Sequence, residues 1–172
     1  MKKLFHSFVA LLMLVSVFVP LLKMNSVVNA AEKPSSEYTL TTVPTINTNK
    51  LVDHAKYGEG KFYLQTTYKF PDNVTLNNGD FVTYQVPAEF KIEQDSTTPL
   101  KAANGETIAE LTTDKATNTA KITVTNEEYF KKFNENKELV ASFTTVWADH
   151  VQRNKEYEIT IPGAGVYHLT RI

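Results

Sequence analysis

The 172 residues carry 18 Lys and Arg against 19 Asp and Glu, a formal net charge of −1, with no cysteine and a single tryptophan. That balance offers no basic patch to neutralise phosphates, which excludes nucleic acid and an anionic membrane surface as partners. The lack of thiols excludes cysteine nucleophiles, cysteine-ligated metals and a disulfide-stapled module.

At the N-terminus, Lys2 and Lys3 precede an apolar run from Phe8 to Leu22, and Val28-Asn29-Ala30 then supplies small side chains. Charged start, apolar middle and small-residue exit predict a secretory signal peptide over residues 1–30, cut at Ala30 or Ala31. Pro20 and Lys23 interrupt the apolar run before it reaches the roughly 20 residues of a spanning helix, so no membrane contact is expected after cleavage. Cleavage removes three lysines, and the 142 residues that remain hold 15 basic and 19 acidic side chains. A chain of that size forms one domain and buries enough core to stand without disulfides.

Residues 31–50 are rich in Thr, Ser, Pro and Asn, and predict an extended or partly disordered arm before a domain over 51–172. From Lys61 to Phe70 the chain alternates, with Phe62, Leu64, Thr66, Tyr68 and Phe70 on one side and Tyr63, Gln65, Thr67 and Lys69 on the other. Period-two alternation is the mark of a half-buried strand. A turn through Asn78-Gly79-Asp80 follows, where Asn78 and Gly79 are suited to positive φ. Phe81–Val86 alternates again until Pro87, which cannot donate to a ladder. Further strands are predicted at Glu106–Thr113, Thr119–Thr125, Leu139–Trp147, Tyr157–Ile161 and Val166–Ile172, with one short helix at Glu127–Glu138. About seven short strands separated by turn residues, with no βαβ spacing, predict an antiparallel sandwich or barrel. The sandwich is the favoured reading.

Motifs that carry chemistry are sparse. His54 and His150 each follow an aspartate, but neighbours in an extended segment point to opposite faces, so neither dipeptide builds a dyad. His168 stands alone in the last strand, and no HExxH or GxSxG occurs. No catalytic residue, metal ligand or cofactor is therefore assigned. Glu127, Glu128 and Glu138 sit among Lys131, Lys132 and Lys137 and read as a solvated mixed-charge segment rather than a glycosidase pair. Asp72, Asn77, Asn78 and Asp80 read as turn chemistry rather than a calcium loop.

The stretch "GKFYLQTTYKFPDNVTLNNGDFVTYQVPAEFKI", followed by "NGETIAELTTDKATNTAKITVTNEEYFKKF" and "ELVASFTTVW", resembles the N-terminal ligand-binding region of Gram-positive surface adhesins of the collagen-adhesin type. The likeness spans about Lys50 to Ile172 and rests on the order of several weak motifs. It implies a variant immunoglobulin sandwich and a secreted or cell-wall-associated, non-enzymatic module that holds a host extracellular-matrix protein such as collagen or fibrinogen. In that family two subdomains close on the ligand. Neither a second subdomain nor an LPxTG-type sorting motif precedes Ile172, so the expectation is a truncated adhesin or a module acting alone. Some relatives carry a Lys–Asn isopeptide bond beside an acid. Lys56 or Lys61 with Asp80 would supply two partners, but the last strand has no asparagine, so no such bond is expected. The competing readings are a structural spacer or pilin-like Ig module without its own ligand, and a carbohydrate-binding module.

Overall fold

Side-chain alternation organises the chain into strands whose apolar sides meet. The computed structural model describes residues 30–172, and the signal peptide expected over 1–30 lies outside that range apart from Ala30. The strands are β1 (Thr39–Ile46), β2 (Asn49–Lys50), β3 (Ala55–Tyr57), β4 (Phe62–Lys69), β5 (Phe81–Gln85), β6 (Phe90–Lys91), β7 (Ser96–Lys101), β8 (Thr107–Asp114), β9 (Thr119–Val124), β10 (Glu138–Trp147), β11 (Glu156–Ile161) and β12 (Gly165–Arg171). A 3-10 turn at Ser35–Glu37 and one helix, α1 (Glu127–Lys132), complete the elements.

The strands form a five-stranded sheet in the order β2-β1-β4-β10-β6 and a four-stranded sheet in the order β5-β9-β8-β7. A three-stranded sheet, β11-β12-β3, includes one parallel pair, β12 with β3. This is an all-β, Ig-like β-sandwich with one short helix among the described residues. β4 keeps its predicted alternation, burying Phe62, Leu64, Thr66 and Tyr68. Its partner β10 buries Leu139, Ala141, Phe143, Thr145 and Trp147 in strict alternation. Val82 and Tyr84 of β5 and Ala120, Ile122 and Val124 of β9 belong to the same core, and the Tyr84 and Phe143 rings meet edge to face at 5.6 Å. The threonines buried in β4 and β10 are satisfied, since Thr66 Oγ1 donates to the Ala141 carbonyl and Thr145 Oγ1 to that of Phe62. At one end Phe62, Phe90 and Trp147 pack with ring centroids 4.5–5.4 Å apart.

Several expectations need correction. Residues 31–50 are not a free arm. Strand β1 pairs with β4 along its whole length, from Thr39 opposite Lys69 to Ile46 opposite Phe62, and buries Thr42, Pro44 and Ile46. The alternation was hidden because threonines and a proline occupy most of its positions, and Pro44 needs no ladder donor on the side it presents. Residues 70–80 are no hairpin either, because β4 and β5 belong to different sheets. Of the Asn78-Gly79 pair only Gly79 takes a positive φ, 88°. The Asp80 carboxylate is buried and accepts the Asn77 and Ala31 backbone N–H groups at 2.8 and 3.2 Å. Its lysine neighbour is Lys33, at 3.4 Å, rather than Lys56 or Lys61. Strands β2, β3 and β6 are too short to show a period. Strand β7 reads as a loop because Pro99 interrupts it, yet it pairs with β8.

The 162–164 turn locks the sandwich. Gly163 has φ 81°, and a Cβ there would lie 2.7 Å from Thr42 Oγ1 and 2.8 Å from Leu40 Cγ. The close approach lets Thr42 N–H reach the Gly163 carbonyl at 3.0 Å, while the hydroxyls of Thr42 and Tyr84 both donate to the Pro162 carbonyl, at 2.6 and 2.9 Å.

Candidate functional site

The outward side of the five-stranded sheet is built from the residues that alternate with its core. β1 contributes Thr41, Val43 and Thr45, β4 contributes Tyr63, Gln65 and Thr67, and β10 contributes Val140, Ser142 and Thr144. Antiparallel pairing sets them in rows: Val43 and Ser142 both face Gln65, Thr45 and Thr144 both face Tyr63, and Thr41 and Val140 both face Thr67. None of the nine is charged, although Asp, Glu, Lys and Arg make up 22% of the chain. All are exposed or half-exposed, with Tyr63 at 43% and Val140 at 39%. A shallow concavity of about 370 Å³ lies over Val43, Thr45, Tyr63, Gln65 and Ser142, bounded by Asn47 and Thr48. Lys69 and Glu138, opposite each other, mark the charged end of the sheet. The sheet thus carries a flat, uncharged field of hydroxyls and two valines, with one amide, Gln65, at its centre and Tyr63 in an end row. Depletion of charge around an aromatic is the compositional mark of an interface core.

Sequence reasoning named no binding residues. The signal was present, because outward positions of a half-buried strand ordinarily carry Lys, Glu or Asp. It needed the pairing of β1, β4 and β10 to become a surface.

A second grouping was not anticipated. The turn holding Asp53 and His54 folds against β12, where His54 N–H donates to the His168 carbonyl at 2.7 Å and Asp53 Oδ1 accepts His168 N–H at 2.6 Å. His54 has φ 61°, so the argument that Asp53 and His54 point apart, which holds for extended backbone, fails at this position. The His54 and His168 rings stack with centroids 4.6 Å apart and planes within 5°. Asp53 lies 3.1 Å from His168 Nδ1 and 3.6 Å from His54 Nε2. On the far side, His54 Nδ1 meets Glu156 at 3.1 Å and His168 Nε2 meets Glu158 at 3.5 Å. The His168 backbone N–H holds the Asp53 carboxyl below its ordinary range, and the Glu156 hydrogen bond, with the Asp53 charge behind it, raises the His54 imidazole.

The other candidates are dispersed. His150 is exposed beside Asp149, which takes Lys91 at 2.7 Å. Glu127 and Glu128 pair with Lys131 on the surface of α1. Lys137 is not solvated as expected: it is buried, and its Nζ donates to Asn134 Oδ1 and to the Asn134 and Asp72 carbonyls, with burial pulling its pKa down. Asp72 therefore belongs to the Asn134–Lys137 turn, and Asp80 to a separate one. Trp147 is buried, with its indole N–H donating to the Gly58 carbonyl, so it offers no platform for a sugar ring.

Residues 57–157 match the family described as bacterial Ig domain. Among solved structures the chain is similar to the serine-rich repeat adhesion glycoprotein Srr1 of Streptococcus agalactiae, at 14% identity and a TM-score of 0.55, over 80% of this chain and 47% of that one. It is similar also to the serine-rich repeat protein Srr2 of the same organism, at 11% identity and a TM-score of 0.54, over 82% and 47% of the two chains. The chain therefore spans about half the length of either. No curated protein matches it.

Proposed function

The chain belongs to the bacterial Ig domain family, and from that premise we propose that it is a non-enzymatic adhesion module on or outside a Gram-positive cell. Its outward sheet face, which presents Tyr63, holds a host extracellular-matrix protein of the collagen or fibrinogen kind. The observation that carries this reading is the nine-residue uncharged field across β1, β4 and β10. An extended or triple-helical host segment presents repeating backbone carbonyls and small side chains. A flat face of hydroxyls and a carboxamide answers these with hydrogen bonds, while Tyr63 supplies apolar contact area at low entropic cost. The likeness to a streptococcal adhesion glycoprotein supports the same direction through the fold. Secretion follows in this proposal from removal of residues 1–30, which places the module where host matrix is met.

The test is binding of the purified protein to immobilised collagen, fibrinogen and fibronectin, beside a heat-unfolded control. Saturable binding to collagen or fibrinogen by the folded protein alone is the expected outcome. No saturable binding at high micromolar concentration would contradict it and leave a mechanical spacer as the better reading.

A further inference from the structure

Away from the sheet face, the imidazoles of His54 and His168 come together from positions far apart in the chain, and each has a carboxylate within 3.6 Å of each ring nitrogen. His54 Nε2 and His168 Nδ1 are the two that face Asp53, and the three ligand atoms lie within 4.8 Å of one another. The remaining nitrogens, His54 Nδ1 and His168 Nε2, are each met by a separate carboxylate, Glu156 or Glu158. This is how metal-ligating histidines are held: one nitrogen to the ion, the other donating to a carboxylate that fixes tautomer and ring orientation.

We propose that Asp53, His54 and His168 form a surface site for one divalent transition ion, with Glu156 and Glu158 as orienting partners. Two imidazole nitrogens and one carboxylate oxygen select zinc over calcium or magnesium, which prefer all-oxygen sets. Ligand bonds of about 2.0–2.2 Å place tetrahedral donors a little over 3 Å apart, close to the Asp53–histidine separations seen here. Because the stacked ring planes are now parallel, both imidazoles rotate about their side-chain torsions to bring their in-plane lone pairs onto one ion. A water molecule takes the fourth position, since the side chains of His54 and Asp53 are about half exposed or more, at 63% and 49%. The bound ion ties the 51–54 turn to β12, whose parallel pairing with β3 covers just Leu169 to Arg171.

Calorimetric titration of zinc chloride into purified, chelator-stripped protein tests this directly. One ion per chain is expected, with a dissociation constant in the micromolar range and a thermal midpoint raised by about 5 °C at saturating zinc. His54→Asn, which tolerates the same positive φ, and His168→Gln are each expected to weaken binding at least about tenfold, and Glu156→Gln about tenfold through lost orientation. His150→Gln is the internal control and should bind as the parent does. Cobalt substitution should give the visible absorption of a tetrahedral site. Far-UV circular dichroism of each variant separates lost ligation from lost fold. Absence of binding at about a hundred times a micromolar constant, or equal binding by the His54→Asn, His168→Gln double variant, would overturn the proposal.

Discussion

Tyr68 and Tyr84 are both buried phenols in the sandwich core, but their hydroxyls end differently. Tyr84 donates to the Pro162 carbonyl at 2.9 Å, whereas the Tyr68 hydroxyl has no hydrogen-bond partner among the described residues and its ring rests against Tyr38. Removing a satisfied hydroxyl costs about 1 kcal/mol, while removing an unsatisfied buried one is neutral or favourable. Tyr84→Phe should therefore lower stability in urea unfolding by about 1 kcal/mol, and Tyr68→Phe should leave it unchanged or raise it. A loss from Tyr68→Phe as large as that from Tyr84→Phe would show that the Tyr68 hydroxyl has a partner. Burial also pushes the Tyr84 phenol up to about 12 and moves that of Tyr68 the same way. A pKa raised on folding contributes stability that is whole below the unfolded value, about 10, and is lost as pH rises toward the folded one. The thermal midpoint should consequently fall above pH 10, and less steeply in Tyr84→Phe. A midpoint flat across that window would contradict the burial of both phenols.

At the scale of elements, seven strands were legible in the sequence, clearest where alternation uses large apolar residues, as in β4 with Phe62, Leu64 and Tyr68 and β10 with Leu139, Phe143 and Trp147, but also β5, β8, β9, β11 and β12. β1 escaped because its buried side is Thr42, Pro44 and Ile46, of which one reads as core. β7 escaped because its positions are solvent-facing and interrupted by Pro99. The histidine pair was illegible for another reason. It depends on a positive φ at His54 and on a parallel pairing of β3 with β12, and neither leaves a local pattern. Dropping residues 31–50 distinguishes a structural strand from an arm. Loss of β1 exposes the edge of β4 and the core beneath Ile46, so the shortened protein should lose cooperative thermal unfolding by circular dichroism and aggregate. An unchanged melting curve would mean that the segment is an arm after all.

For the whole molecule, the sandwich divides its two kinds of chemistry between places. Charge is paired around its periphery: Arg153 and Arg171 with Glu59, Lys91 with Asp149, and Lys131 with Glu127 and Glu128. The outward face of the larger sheet instead holds nine uncharged positions in register. Surface charge maintains solubility, so a field without it is consistent with contact to another molecule. The decisive measurement compares the affinities of the parent and of a Tyr63→Ala, Ser142→Lys double variant for collagen and fibrinogen, read beside their melting temperatures. Both positions face solvent, so the fold should be unaffected. Binding at least about tenfold weaker, a loss of about 1.4 kcal/mol, with an unchanged melting temperature would place recognition on this sheet. Binding equal to that of the parent would remove the sheet face from recognition altogether.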